Sequence, residues 1–125
     1  MRYPAGMEPE REGTLMYSEF MLEGQWYAAM DRAQKHNFAF SEAISFMVYC
    51  NSQAEIDHYW TRLSAVPEAE QCGWLKDRYG LSWQIVPAAM DAMMQDPDQG
   101  RVARVMQVVL QMKKLELATL QKAYA

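Results

Sequence analysis

The stretch Gln71–Pro87, QCGWLKDRYGLSWQIVP, gathers side chains that can do chemistry. It holds a thiol (Cys72), an ammonium (Lys76), a carboxylate (Asp77), an amide (Gln84) and two indoles (Trp74 and Trp83). A thiol becomes a nucleophile only where a base or a cation lowers its pKa. Lys76 is close enough to serve, but no histidine is near in sequence, so Cys72 reads better as a packed thiol. Gln84 carries a donor and an acceptor on one group and can orient a bound carbonyl. Trp74 can wall a pocket for a flat or apolar ligand. The histidines, His36 and His58, stand apart with no HxxxH spacing. His58 falls on the polar side of a helix and reads as solvated; His36, in a loop, is the more interesting of the pair.

These groups need elements to hold them. Asp77-Arg78-Tyr79-Gly80 has the chemistry of a type I turn followed by a left-handed glycine, a common hairpin loop. That register sets Asp77 against Leu81, Leu75 against Trp83 and Trp74 against Gln84. Trp74, Lys76, Ser82 and Gln84 then share one face, and Leu75, Trp83 and Ile85 the other. Upstream, Ser52-Gln53-Ala54-Glu55 is a capping box that opens an amphipathic helix over Gln53–Ser64, with Ile56, Tyr59, Trp60 and Leu63 on its apolar side. Ala43–Cys50 is rich in strand formers. Thr14–Leu22 and Gln25–Met30 predict a first hairpin turning at Glu23-Gly24, and residues 1–13 predict a loop or frayed arm. After Pro87 the pattern turns helical. It predicts a short helix over Ala88–Gln95 and one capped by Asp96 with Pro97 at its first position, carrying Val102, Val105, Met106, Val109 and Met112. A last helix spans Leu117–Tyr124.

Composition narrows the class. The chain has 125 residues, half of them apolar, which suits one compact domain. A net charge of −4, with Lys113-Lys114 as the one adjacent basic pair, argues against a nucleic-acid surface. The N-terminal residues hold no apolar signal-like core, and no apolar run reaches membrane-spanning length. Cys50 and Cys72 form no CxxC motif and fit a reducing, cytoplasmic setting. The eleven methionines fit core filling and helix interfaces.

The segments AISFMVYCNSQAEIDHYWTRLS, EQCGWLKDRYGLSWQIVP and RVMQVVLQMKK together resemble the PhnB-like group. That group sits in the vicinal oxygen chelate superfamily with glyoxalase I, the bleomycin-resistance proteins and the extradiol dioxygenases, and the resemblance runs from Gly13 to Ala123. It implies an α+β fold of paired βαβββ modules, with sheets enclosing a cavity completed by a dimer. A single domain over 1–125 would then divide into a partial first module (1–43), a second module (44–87) and C-terminal helices (88–125). Set against the family pattern, the first module is expected to lack the opening strand and helix. The loop from Val66 to Gln71 is shorter than the family's Gly-rich segment, so one strand of the second module is expected to be short or absent.

Metal-using relatives place ligands near the first and last strands of each module. The resemblance carries those positions in the second module onto Ser45 and Gln84, and neither is a histidine or a carboxylate. No glyoxalase-type metal site and no cofactor are therefore expected. The group also bears the name of a 3-demethylubiquinone 3-methyltransferase. The glycines are scattered with no GxGxxG, so the residues give methyl transfer no support. The reading is a cytoplasmic homodimer that binds a small, partly apolar ligand in a cavity lined by Trp74, Gln84, Ser45, Met47 and Tyr49. It has no nucleic-acid or membrane partner and no identifiable catalytic set. The dimer would cover the edge and the helix-docking surface left by the missing strand and helix. The alternative is a metal-dependent lyase or isomerase acting on a small carbonyl substrate.

Overall fold

A computed structural model describes residues Met1–Ala125. They form two compact units, Met1–Phe38 and Ala39–Ala125.

The N-terminal unit is built on an antiparallel hairpin of β1 (Tyr17–Leu22) and β2 (Gln25–Met30), closed by the pair Leu22 and Gln25. Both turn residues, Glu23 and Gly24, have positive φ (48° and 78°). That is the mirror-image turn whose twist suits a two-residue hairpin loop. The segment before β1 takes the first of the two forms expected from its prolines and glycines, a loop rather than a frayed arm. Tyr3 is buried, its N–H donates to the Thr14 carbonyl (3.0 Å), and its own carbonyl accepts from Gly13 (2.9 Å). Its phenol donates to the Asp31 carbonyl at 2.6 Å. One aromatic ring with satisfied polar ends thus secures a stretch whose composition alone allows disorder.

The C-terminal unit starts with β3 (Ser45–Cys50), α1 (Gln53–Leu63), a short 3-10 turn (Pro67–Ala69), β4 (Trp74–Lys76) and β5 (Ser82–Pro87). The strands lie in the order β3-β5-β4, with β3 and β5 parallel and β4 and β5 antiparallel. Two strands, β4 and β5, follow α1. The Pro67–Ala69 turn lies between α1 and β4, and β4 has only three residues. The DRYG register agrees with the sequence reading: Trp74 faces Gln84, Leu75 faces Trp83, and Asp77 N–H donates to Leu81 O. Gly80 takes the left-handed conformation at φ 85°.

One face of this sheet packs on α1. Cys50, Ile56, Trp60, Leu75 and Ile85 form its buried core, with Val48, Tyr59, Leu63 and Trp83 around them. The capping box forms as its spacing predicts. Ser52 Oγ accepts from Glu55 N–H (3.2 Å), and Glu55 reaches back to Asn51 N–H (2.8 Å), one residue before the cap. A second core of Met93, Val105, Val109, Leu115 and Leu120 holds α2 (Ala89–Met94), α3 (Gln99–Val109) and α4 (Leu117–Tyr124). Cys72 and Val86 pack against it and tie it to the sheet.

The cap of α3 differs from the expectation. Asp98, not Asp96, accepts from the first helical N–H groups, those of Gly100 (2.9 Å) and Arg101 (3.3 Å). Asp96 is drawn instead to the Tyr124 hydroxyl at 2.5 Å and to Arg101 at 3.6 Å. Pro97 therefore precedes the cap rather than following it.

Candidate functional site

Side chains alternate across a strand, so Ser45, Met47 and Tyr49 leave β3 on the face opposite α1. The register sets Met47 beside Gln84 of β5, and Gln84 beside Trp74 of β4. Trp74, Gln84 and Met47 form a row across the sheet, with Ser45 and Tyr49 flanking it along β3. All the ligand-binding residues expected from sequence thus share one face. They do not share one enclosed cavity: Met47 and Tyr49 are 45% and 52% exposed.

At the centre of this face, Gln84 Nε2 donates to Ser45 Oγ at 2.9 Å. The bond fixes the amide and leaves the Gln84 carbonyl oxygen available as an acceptor. Beside it lies a cleft of about 440 Å³ lined by Glu42, Glu68, Gln71, Cys72, Trp74 and Lys76, among others. Trp74, Lys76 and Ser82 belong to both the face and the cleft. Lys76 Nζ donates to Glu42 at 2.5 Å, and that hydrogen bond to the ammonium holds the Glu42 carboxyl below the usual carboxylate range.

The remaining candidates fall elsewhere. Cys72 is partly buried with φ 53°, packs against the helical core and donates its N–H to Met112 O (2.8 Å). Cys50 lies in the core under α1, where burial, with a smaller contribution from Glu55, pushes its thiol pKa up. His58 is exposed on α1 with Arg62 Nε 3.2 Å from Nε2. His36 stacks on Phe38 in the N-terminal unit, at 4.5 Å between ring centroids.

Sequence reasoning missed the part played by Asp77. The residue is buried, and its Oδ1 accepts from Tyr79 N–H (2.8 Å) and Leu81 N–H (3.0 Å). Its Oδ2 accepts from Trp83 Nε1 at 2.9 Å. Asp at the first position of such a turn carries an Asx-turn signal that predicts the first of these bonds. The indole bond has no sequence signal.

The model of the 3-demethylubiquinone-9 3-methyltransferase family matches residues 1–86, which end inside β5. The chain belongs to this family. A solved structure from Bacillus cereus, named as a 3-demethylubiquinone-9 3-methyltransferase and PhnB protein, is 35% identical to it. The likeness has a TM-score of 0.58 and covers 70% of this chain and 75% of that one. The comparison with curated proteins gives no match. The fold is thus that of a PhnB-like, glyoxalase-type α+β protein. Within it, Ser45 and Gln84, the two positions singled out by the resemblance, are a hydroxyl and an amide bonded to each other. No group of three or more His, Cys, Asp or Glu side chains converges in a way that could hold a metal ion. The family model stops before α2, so the helical core of Met93, Val105 and Leu120 lies beyond the matched residues.

Proposed function

We propose that this PhnB-like chain binds a small, partly apolar ligand on the sheet face formed by Trp74, Gln84, Ser45, Met47 and Tyr49. The observation that carries the reading is the Gln84–Ser45 hydrogen bond at the centre of an apolar, partly exposed face. An oriented amide beside an indole, a thioether and a phenol ring suits a ligand that joins a carbonyl or hydroxyl to an apolar body. Ser45 and Gln84 do not fit a glyoxalase-type divalent ion, because a hydroxyl and an amide lack the basicity of His and carboxylate ligands. The ligand is therefore held without such a metal. The protein acts as a homodimer: β3 pairs only with β5, so its outer edge and the exposed Met47 and Tyr49 beside it call for cover. Free Cys50 and Cys72 support a cytoplasmic setting.

A thermal-shift screen of small carbonyl and aromatic metabolites tests the reading. At least one compound should stabilise the wild type and lose its effect in both Trp74→Ala and Gln84→Ala. Retention of the shift in both variants would refute the assignment of the face. Light scattering should give twice the chain mass, and a stable monomer at micromolar concentration removes the dimer. Stoichiometric metal in protein purified without chelator, lost in Gln84→Ala, would transfer the assignment to a metal-dependent lyase or isomerase.

A further inference from the structure

Glu10 of the N-terminal unit is a carboxylate only 9% exposed. Its Oε2 accepts from Ala33 N–H at 2.7 Å. Its Oε1 is buried and has no hydrogen-bond partner. The cation nearest to it is Arg32, whose Nε stands 3.8 Å away, beyond hydrogen-bond range. That guanidinium is turned partly aside, with Nη2 donating to Gln34 Oε1 at 3.2 Å, and the side chain is 46% exposed. A carboxylate is an acceptor with several open lone pairs, and leaving one bare away from water is costly until a donor arrives. Neighbouring Tyr3 cannot supply that donor, because its phenol hydrogen is spent on the Asp31 carbonyl.

Glu10 forms part of the wall of a cleft of about 690 Å³ built entirely from this unit. Around it, Leu15, Met30 and Phe38 expose apolar surface, and the His36 ring lies nearly parallel to Phe38 at an interplanar angle of 21°. A bare acceptor below a flat, apolar rim is complementary to one kind of molecule. We propose that this cleft binds a small organic cation, a primary ammonium or amidinium attached to a flat apolar group. Its N–H donates to Glu10 Oε1, and its apolar part lies against Met30 and the His36–Phe38 stack. Arg32, long and half-exposed, competes for the same oxygen and yields it to the ligand. Arg11 and Arg32 also line the cleft, so an anion of the same shape is the natural control.

The test uses the full chain, with benzylamine and benzoate as probes and backbone amide NMR shifts as the readout. Benzylamine should shift the Ala33, His36 and Phe38 amides saturably, while benzoate should not. Glu10→Gln keeps a carbonyl acceptor for Ala33 N–H, so the hairpin signals of β1 and β2 should persist while benzylamine affinity falls by about tenfold or more. Arg32→Ala leaves Glu10 intact, removes the competitor and should tighten benzylamine several-fold, an effect that a purely structural Glu10–Arg32 pair does not produce. The proposal is overturned if neither the wild type nor Arg32→Ala responds to benzylamine, if benzoate binds equally well, or if Glu10→Gln binds as the wild type does.

Discussion

The DRYG hairpin places Trp74 opposite Gln84, and Asp77 is the group that holds it closed. It takes three charge-assisted hydrogen bonds, from Tyr79 N–H, Leu81 N–H and Trp83 Nε1. Hydrogen bonds to an ionised acceptor contribute about 1.5–3 kcal/mol each, but such values do not add. All three bonds are partly buried, so water replaces the lost acceptor only in part. Asp77→Ala should therefore cost about 3 kcal/mol, mostly from the donors left dry. Asp77→Asn is the sharper test. Its carbonyl can keep the two backbone donors, but its amide nitrogen then confronts the Trp83 N–H, donor against donor. That change should cost about 2 kcal/mol. Trp83→Phe removes the indole donor, so in a double-mutant cycle the Asn variant should lose about 1–2 kcal/mol less in the Phe background. Urea unfolding followed by far-ultraviolet circular dichroism measures each value. A stability for Asp77→Asn within about 0.5 kcal/mol of wild type, the range of an ordinary surface change, would refute the assignment of Asp77 as the hub.

Other positions test the same framework. Gly73 has φ 83°, and a Cβ there would stand 3.0 Å from Leu115 Cδ1 and 3.3 Å from the Ile85 carbonyl oxygen, so Gly73→Ala should destabilise by about 2–3 kcal/mol in urea unfolding. Gly80, at φ 85° with open space around it, should cost only about 1 kcal/mol on the same change. Gln53 donates to Leu115 O (3.1 Å) and accepts from Leu117 N–H (2.7 Å), so Gln53→Ala should speed hydrogen exchange at the start of α4 and cost about 1–2 kcal/mol. The hydrogen bond from Tyr124, then that from Asp98 N–H, holds the Asp96 carboxyl below its ordinary range, while the same tyrosine bond raises the Tyr124 phenol. Asp96 thus favours the folded state above its ordinary pKa and loses that effect as pH falls through the depressed value; Tyr124 favours it below its ordinary pKa and loses that effect as pH rises through the raised one. Exchange protection of α4 should be highest between those limits, and Tyr124→Phe should return the Asp96 carboxyl towards its ordinary range in an NMR titration.

Local patterns were the legible part of this chain. The DRYG register, the Ser52 cap and the bounds of α4 follow from turn chemistry, capping geometry and helical spacing, which act within a few residues. Those same rules put Trp74 and Gln84 on one face, because a strand has period two. The placement of Ser45, Met47 and Tyr49 beside them came from the family resemblance, and the parallel register of β3 with β5 realises it.

What the sequence left open is decided by partners distant along the chain. The local rule that puts proline at the first helical position favours Asp96 as the cap; Tyr124, from another helix, claims Asp96, and the cap falls to Asp98. Prolines and glycines leave a loop or a frayed start open, and burial of Tyr3 and its bond to Asp31 decide for the loop. The Ser45–Gln84 bond, the indole held by Asp77 and the bare oxygen of Glu10 likewise arise only where packing sets a polar atom near a donor or removes it from water. Backbone propensity acts locally, whereas desolvation and hydrogen-bond competition depend on which surfaces meet.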